Sequence, residues 1–120
     1  FFRPFHLCGI ETPLSIAEAA LLKRATAEPL LRPHADVIAI AKRDLKAGDI
    51  LDGSGGKNVR AVIERAEVAR AARLLPEGLA YRVPIRRDIT QGEPITWDMV
   101  DLPPDSVALR LRSEQDASWT

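Results

Sequence analysis

Lys42-Arg43-Asp44-Leu45-Lys46-Ala47-Gly48-Asp49-Ile50-Leu51 is answered 44 residues further on by Arg86-Arg87-Asp88-Ile89-Thr90-Gln91-Gly92-Glu93-Pro94-Ile95. Arginine, aspartate and glycine are identical in the two copies, and the flanking basic, aliphatic and acidic positions keep their type, so the chain contains an internal repeat. Each copy follows an apolar run, Val37-Ile38-Ala39-Ile40-Ala41 or Val83-Pro84-Ile85, and is therefore a strand entering a tight polar turn. Gly48 and Gly92 close the turns because glycine tolerates positive φ. The aspartate is expected to bond amides of its own turn, and the aliphatic residue after it to plug the core. The arginine is expected to bond the aspartate or a carbonyl.

Outward from the repeat, Ala35 to Lys42 is a branched aliphatic run without polar alternation, expected as a strand buried on both faces. Val59 to Ile63 and Tyr81 to Arg86 are further strands. Asp52-Gly53-Ser54-Gly55-Gly56 between them lacks the strand-to-helix setting and G-x-G-x-x-G spacing of a dinucleotide loop and is a plain turn. Glu64 to Leu74, with alternating charges and alanines, predicts a short surface helix ended by Pro76 and Gly78. Thr96 caps a one-turn helix whose Trp97 and Val100 plug the core. Asp105 caps a last helix from Ser106 in which Arg110 meets Glu114, although the alternation of Val107, Leu109 and Leu111 also fits a strand. Near the start, Thr12 is placed to cap a helix from Pro13 to about Ala25, and the prolines of the stretch 28–34 make it a linker.

Composition narrows the function. Lys plus Arg and Asp plus Glu are 17 each, so net charge offers no case for nucleic acid or an anionic membrane, and neither partner is predicted. The single cysteine, Cys8, permits no internal disulfide and favours a reducing, cytoplasmic setting. No apolar run reaches the roughly 20 residues of a membrane helix. Two histidines and one cysteine, far apart in sequence, argue against an encoded zinc site, and no metal is predicted.

The doubled turn resembles that of the SAF domain, the β-clip module of type III antifreeze proteins, sialic acid synthases, altronate dehydratases and flagellar P-ring chaperones. Further stretches extend the likeness: Arg3-Pro4-Phe5-His6-Leu7, Glu11-Thr12-Pro13-Leu14-Ser15, Asp52-Gly53-Ser54-Gly55-Gly56, Leu75-Pro76-Glu77-Gly78-Leu79-Ala80 and Leu109-Arg110-Leu111-Arg112-Ser113-Glu114-Gln115. Together they are similar to the C-terminal part of bacterial homoserine-dehydrogenase-like, NAD(P)-dependent oxidoreductases that end in a SAF domain. Where that family continues after the glycines with tyrosines, this chain has Lys57-Asn58-Val59-Arg60.

The resemblance implies a mostly β, α+β fold of SAF/β-clip type with an internal pseudo-twofold and an N-terminal helical arm. Residues 1–34 would be the arm, the end of a preceding catalytic domain, and 35–120 the SAF-like domain. NAD(P) would belong to the full-length parent and no cofactor to this chain, which would complete a substrate site or build an oligomer and be inactive alone. Its partner would be another copy or the missing N-terminal domain, and a first residue that is Phe rather than Met fits a piece of a longer protein. The alternative is a stand-alone SAF module that recognises a sugar acid or a protein partner, the flagellar P-ring chaperones included.

Candidate site residues follow. No catalytic residue is expected in this chain. By the resemblance, Arg3, His6 and Glu11 would line the substrate site; the alternative makes His6 part of an aromatic cluster and Glu11 a helix-start charge. Arg43 and Arg87 could offer guanidinium forks to a carboxylate or phosphate, as an arginine of the SAF domain does for a neighbouring subunit in sialic acid synthases. Against this, symmetry-related arginines can simply staple their own turns.

Overall fold

The computed structural model describes residues 7–27 and 32–118 and divides into two compact units that part between Leu31 and Arg32. In the first unit, helix α1 (Cys8–Ala17) runs on through a π-helical turn, Glu18–Leu22, and stops at Lys23, whose φ of 54° is left-handed. The expected start at Thr12 and Pro13 is corrected: the Leu7 carbonyl accepts from the amides of Ile10 and Glu11 at 2.8 and 2.9 Å, so the helix begins a turn earlier and Pro13 lies inside it. With only five helical residues ahead of it, Pro13 forfeits a single bond, to the Gly9 carbonyl. The helix also ends short of Ala25, because the left-handed Lys23 breaks the run.

The second unit is mixed α+β with two small antiparallel sheets. Strand β1 (Ala35–Ala41) pairs with β3 (Val59–Arg65) in the register Ile38↔Val62 and Ala41↔Val59; β2 (Ile50–Asp52) pairs with β4 (Tyr81–Pro84). Because β1 sits in a two-stranded sheet, only Ile38 to Ala41 are buried, and Val37 is 44% exposed, which corrects the expectation of burial on both faces. Helix α2 is Ala66–Ala71, shorter than expected, since Glu64 and Arg65 stay in β3 opposite Asp36 and Ala35. Trp97–Met99 is a 3₁₀ turn; Met99 and the following Val100 are buried in the core, while Trp97 is only partly buried and packs against its edge. Helix α3 (Val107–Ser118) is capped by Ser106 rather than Asp105, the Ser106 Oγ accepting from the Leu109 amide at 3.3 Å.

A pseudo-twofold relates the two copies of the repeat through one isolated bridge, in which Leu45 and Ile89 exchange backbone bonds of 2.9 and 3.0 Å. The same operation maps Gly48 N–H to the Ile85 carbonyl (2.8 Å) onto Gly92 N–H to the Ala41 carbonyl (2.9 Å). It also maps the pair Ile50↔Pro84 of the second sheet onto the bridge Ile40↔Pro94. Gly48 and Gly92 have φ of 91° and 85°, as the turn requires. Leu45 and Ile89 are buried at the centre of a cluster that includes Leu51, Leu75, Val83, Ile95 and Val100.

Replacing Leu45 by Ala should cost about 2–5 kcal/mol in urea unfolding, as for other buried leucines, and Ile89→Ala should cost a similar amount because the axis makes the two sites equivalent. A loss well under 1 kcal/mol at either position would contradict the placement of the axis in the core.

Candidate functional site

The turns that carry Arg43 and Arg87 are built by carboxylates that cross between them. Asp44 Oδ1 accepts from the Gln91 amide at 2.8 Å, and Asp88 Oδ1 accepts from the Ala47 amide at 3.0 Å. The expectation that each aspartate bonds its own turn is thereby corrected: the bridge at Leu45 and Ile89 lays the turns side by side, and the nearest free amides belong to the other copy. The repeat's second acidic position does the local work, Asp49 accepting from Lys46 N–H (3.1 Å) and Glu93 from Thr90 N–H (3.0 Å).

The two arginines then staple these turns from outside. Arg43 donates to the Asp44 carbonyl at 3.1 Å and to Asn58 Oδ1 at 2.9 Å, with its guanidinium 3.5 Å from Asp49. Arg87 donates to the Asp88 carbonyl at 3.1 Å and to Glu93 Oε1 at 3.0 Å. About half of each side chain stays exposed, so N–H groups remain that could meet an anion, but each guanidinium already faces a carboxylate. One element breaks the symmetry: Lys46 Nζ lies 2.7 Å from Asp88, where the other copy offers Thr90 to Asp44. The Asp52-to-Gly56 loop is likewise a scaffold, Asp52 accepting from the amides of Lys57 and Asn58 at 2.5 and 3.0 Å. A Cβ on Gly56 would come within 2.2 Å of the Asp52 carboxyl carbon, so a larger residue there would displace the carboxylate from the loop amides.

Of the other expected site residues, Arg3 and His6 lie outside the described residues, and Glu11 stands in the first turn of α1. Glu11 belongs to the first unit, and Arg43 and Arg87 to the second. Among the described residues no cluster of three or more His, Cys, Asp or Glu is placed to hold a metal ion, and no helix is long and apolar enough to cross a membrane.

Sequence reasoning passed over the surface around α2. One open cleft of about 300 Å³ there is lined by Arg32, His34, Arg65, Glu67 and Arg70, with Arg65 paired to Glu67. A second, of about 390 Å³, lies between α2 and α3 and contains Arg70, Arg73, Trp97, Arg112 and Asp116. Its only sequence signal is three arginines in the stretch 65–73, which equally suits a solvated helix face.

Compared with known protein families and with curated proteins, the sequence matches none. Among solved structures it is similar to the flagellar protein FlgA from Thermotoga maritima MSB8, with 24% identity and a TM-score of 0.44. The likeness covers 61% of this chain and 27% of that one, so the chain spans about a quarter of the length of that protein.

The turn carboxylates set the acid stability. The Lys46 ammonium, and then the Ala47 amide, hold Asp88 below the usual carboxylate range; the Thr90 amide, and then Arg87, do the same for Glu93. Burial pushes Asp52 up, but the amides of Asn58 and Lys57 outweigh it and the group also sits low. A carboxylate held lower in the folded than in the unfolded chain contributes stability above its unfolded value, near pH 4, and loses it as pH falls through the folded value. Urea midpoints should therefore drop as the pH goes from about 5 to below 3, and the double variant Asp88→Asn, Glu93→Gln should flatten that slope. An unchanged acid limb in the double variant would contradict the assignment.

Proposed function

We propose that residues 35–120 form a SAF-type, β-clip recognition module that takes a sugar acid or a protein partner and performs no chemistry of its own. The observation that carries this reading is the exchange of carboxylates between the two turns across the Leu45–Ile89 bridge. It supports the internal twofold that the doubled sequence implies, and it accounts for the repeat's acidic groups as structure. Asp88 and Glu93 are held toward the ionised form by their Lys46, Arg87 and amide partners, whereas a general acid working near neutral pH needs its proton retained. The lone, exposed Cys8 supports a reducing, cytoplasmic setting.

A second reading is favoured by α1 and its π-helical extension, on which Ile10, Leu14, Ile16 and Leu21 are each more than half exposed. A helix with that much uncovered apolar surface suits an element that docks elsewhere. On this reading the chain is the C-terminal region of a homoserine-dehydrogenase-like oxidoreductase: NAD(P) binds in another part of the parent, Arg3, His6 and Glu11 line the substrate site, and the partner is a second copy or the missing domain. Arg43 and Arg87 keep their remaining N–H groups for an anion under either reading.

Calorimetric titration of the 120-residue chain with hexuronic and hexonic acids, and separately with NADH and NADPH, tests the proposal. Saturable binding of a sugar acid with no heat from either dinucleotide is the expected result. Binding of a dinucleotide would overturn both readings, since each places cofactor chemistry outside this chain.

A further inference from the structure

The cleft between α2 and α3 holds three groups, Arg70, Arg73 and Trp97, that the scaffold uses only in part. Arg73 follows α2 in a left-handed conformation, φ 50°, and forms the helix-ending bonds of that position: its amide to the Arg70 carbonyl at 3.1 Å, and the Leu74 amide to the Ala69 carbonyl at 2.8 Å. Glycine adopts this conformation freely and is the usual residue there, so an arginine is held against a backbone preference. Its side chain lines the cleft without a hydrogen bond or close ion pair among the described residues, and its charge acts at longer range on the Asp98 carboxylate. Arg70, in the last turn of α2, lines the same cleft, gives one N–H to the Asp116 carbonyl at 3.0 Å and keeps the rest of its fork. Trp97 packs on the core and also walls the cleft.

On the opposite wall Arg112 lies 2.5 Å from Asp36 and 2.9 Å from Asp116, with only 20% of its side chain exposed, so both of these carboxylates are engaged by one guanidinium. The carbonyls at the end of α2 are satisfied by the amides of Ala72, Arg73 and Leu74. Arg70 and Arg73 therefore present two guanidinium groups with open N–H positions beside an indole, in a space of about 390 Å³. Guanidinium forks match carboxylate and phosphate oxygens, and an indole face takes a flat apolar group.

We propose that this cleft binds a small organic anion, with its carboxylate or phosphate on Arg70 and Arg73 and a flat ring against Trp97. The inference deepens the recognition-module reading and rests on it. It gives that module a ligand chemistry and a place away from the repeat turns.

The test uses the Trp119→Phe chain, which leaves Trp97 as the sole indole, and follows its fluorescence with phenyl phosphate, inorganic phosphate and phenol as probes. Phenyl phosphate should act saturably and bind at least about tenfold more tightly than either half alone. Arg73→Gly should weaken it by about tenfold or more while leaving the thermal midpoint unchanged or higher, because glycine relieves the left-handed backbone. Arg70→Gln should weaken it as well. Phenyl phosphate binding that survives Arg73→Gly, an equal response to inorganic phosphate, or a lowered midpoint in Arg73→Gly would each overturn the inference. Sugar-acid binding that persists in Arg73→Gly would remove this cleft and leave the module reading standing.

Discussion

Two backbone hydrogen bonds between Leu45 and Ile89 set the geometry on which the rest of the second unit depends. They bring two distant turns side by side, and every other feature of the repeat follows from that contact. Each aspartate finds its amide partner in the opposite turn because the bridge puts it there. Each glycine amide reaches the strand that leads into the other copy, and the aliphatic pair closes the core between them. Such an arrangement ties residues far apart in sequence, so neither turn is stable without its counterpart, and local propensity contributes little.

The surface charges divide into two kinds by what they touch. Arg43, Arg87, Lys46 and Arg112 all meet carboxylates, and their partners are scaffold residues. Exposed pairs of this sort add little energy singly, but those at the turns lie beside backbone bonds that fix their geometry. Arg70 and Arg73 form no salt bridge among the described residues and line a cleft that Trp97 also walls. A chain with no net charge can therefore still concentrate cationic groups at one place.

Much of this architecture was legible from the residues. The spacing of Arg43 and Arg87 exposed the repeat, and the aliphatic runs located β1 and the start of β4, because periodicity and repetition are properties of sequence alone. The direction of the aspartate bonds was not legible. An aspartate beside a turn looks the same whether its acceptor serves that turn or one 44 residues away, and only the register of the bridge decides. Pro13 misled for a related reason: its preference for a helix start is local, whereas the bonds from the Leu7 carbonyl that extend the helix backwards depend on the residues ahead of it. The cleft beside α2 stayed hidden because Trp97 and Arg112 join Arg70 and Arg73 only through tertiary packing.

Native-state hydrogen exchange addresses the central claim, that the paired turns form one cooperative unit about the Leu45–Ile89 bridge. The amides of Leu45, Gly48, Ile89 and Gly92 should exchange together in the slowest class, with a common opening free energy equal to that of global unfolding. Faster exchange of one pair than the other, through opening below the global value, would show that the turns stand independently and would contradict the account.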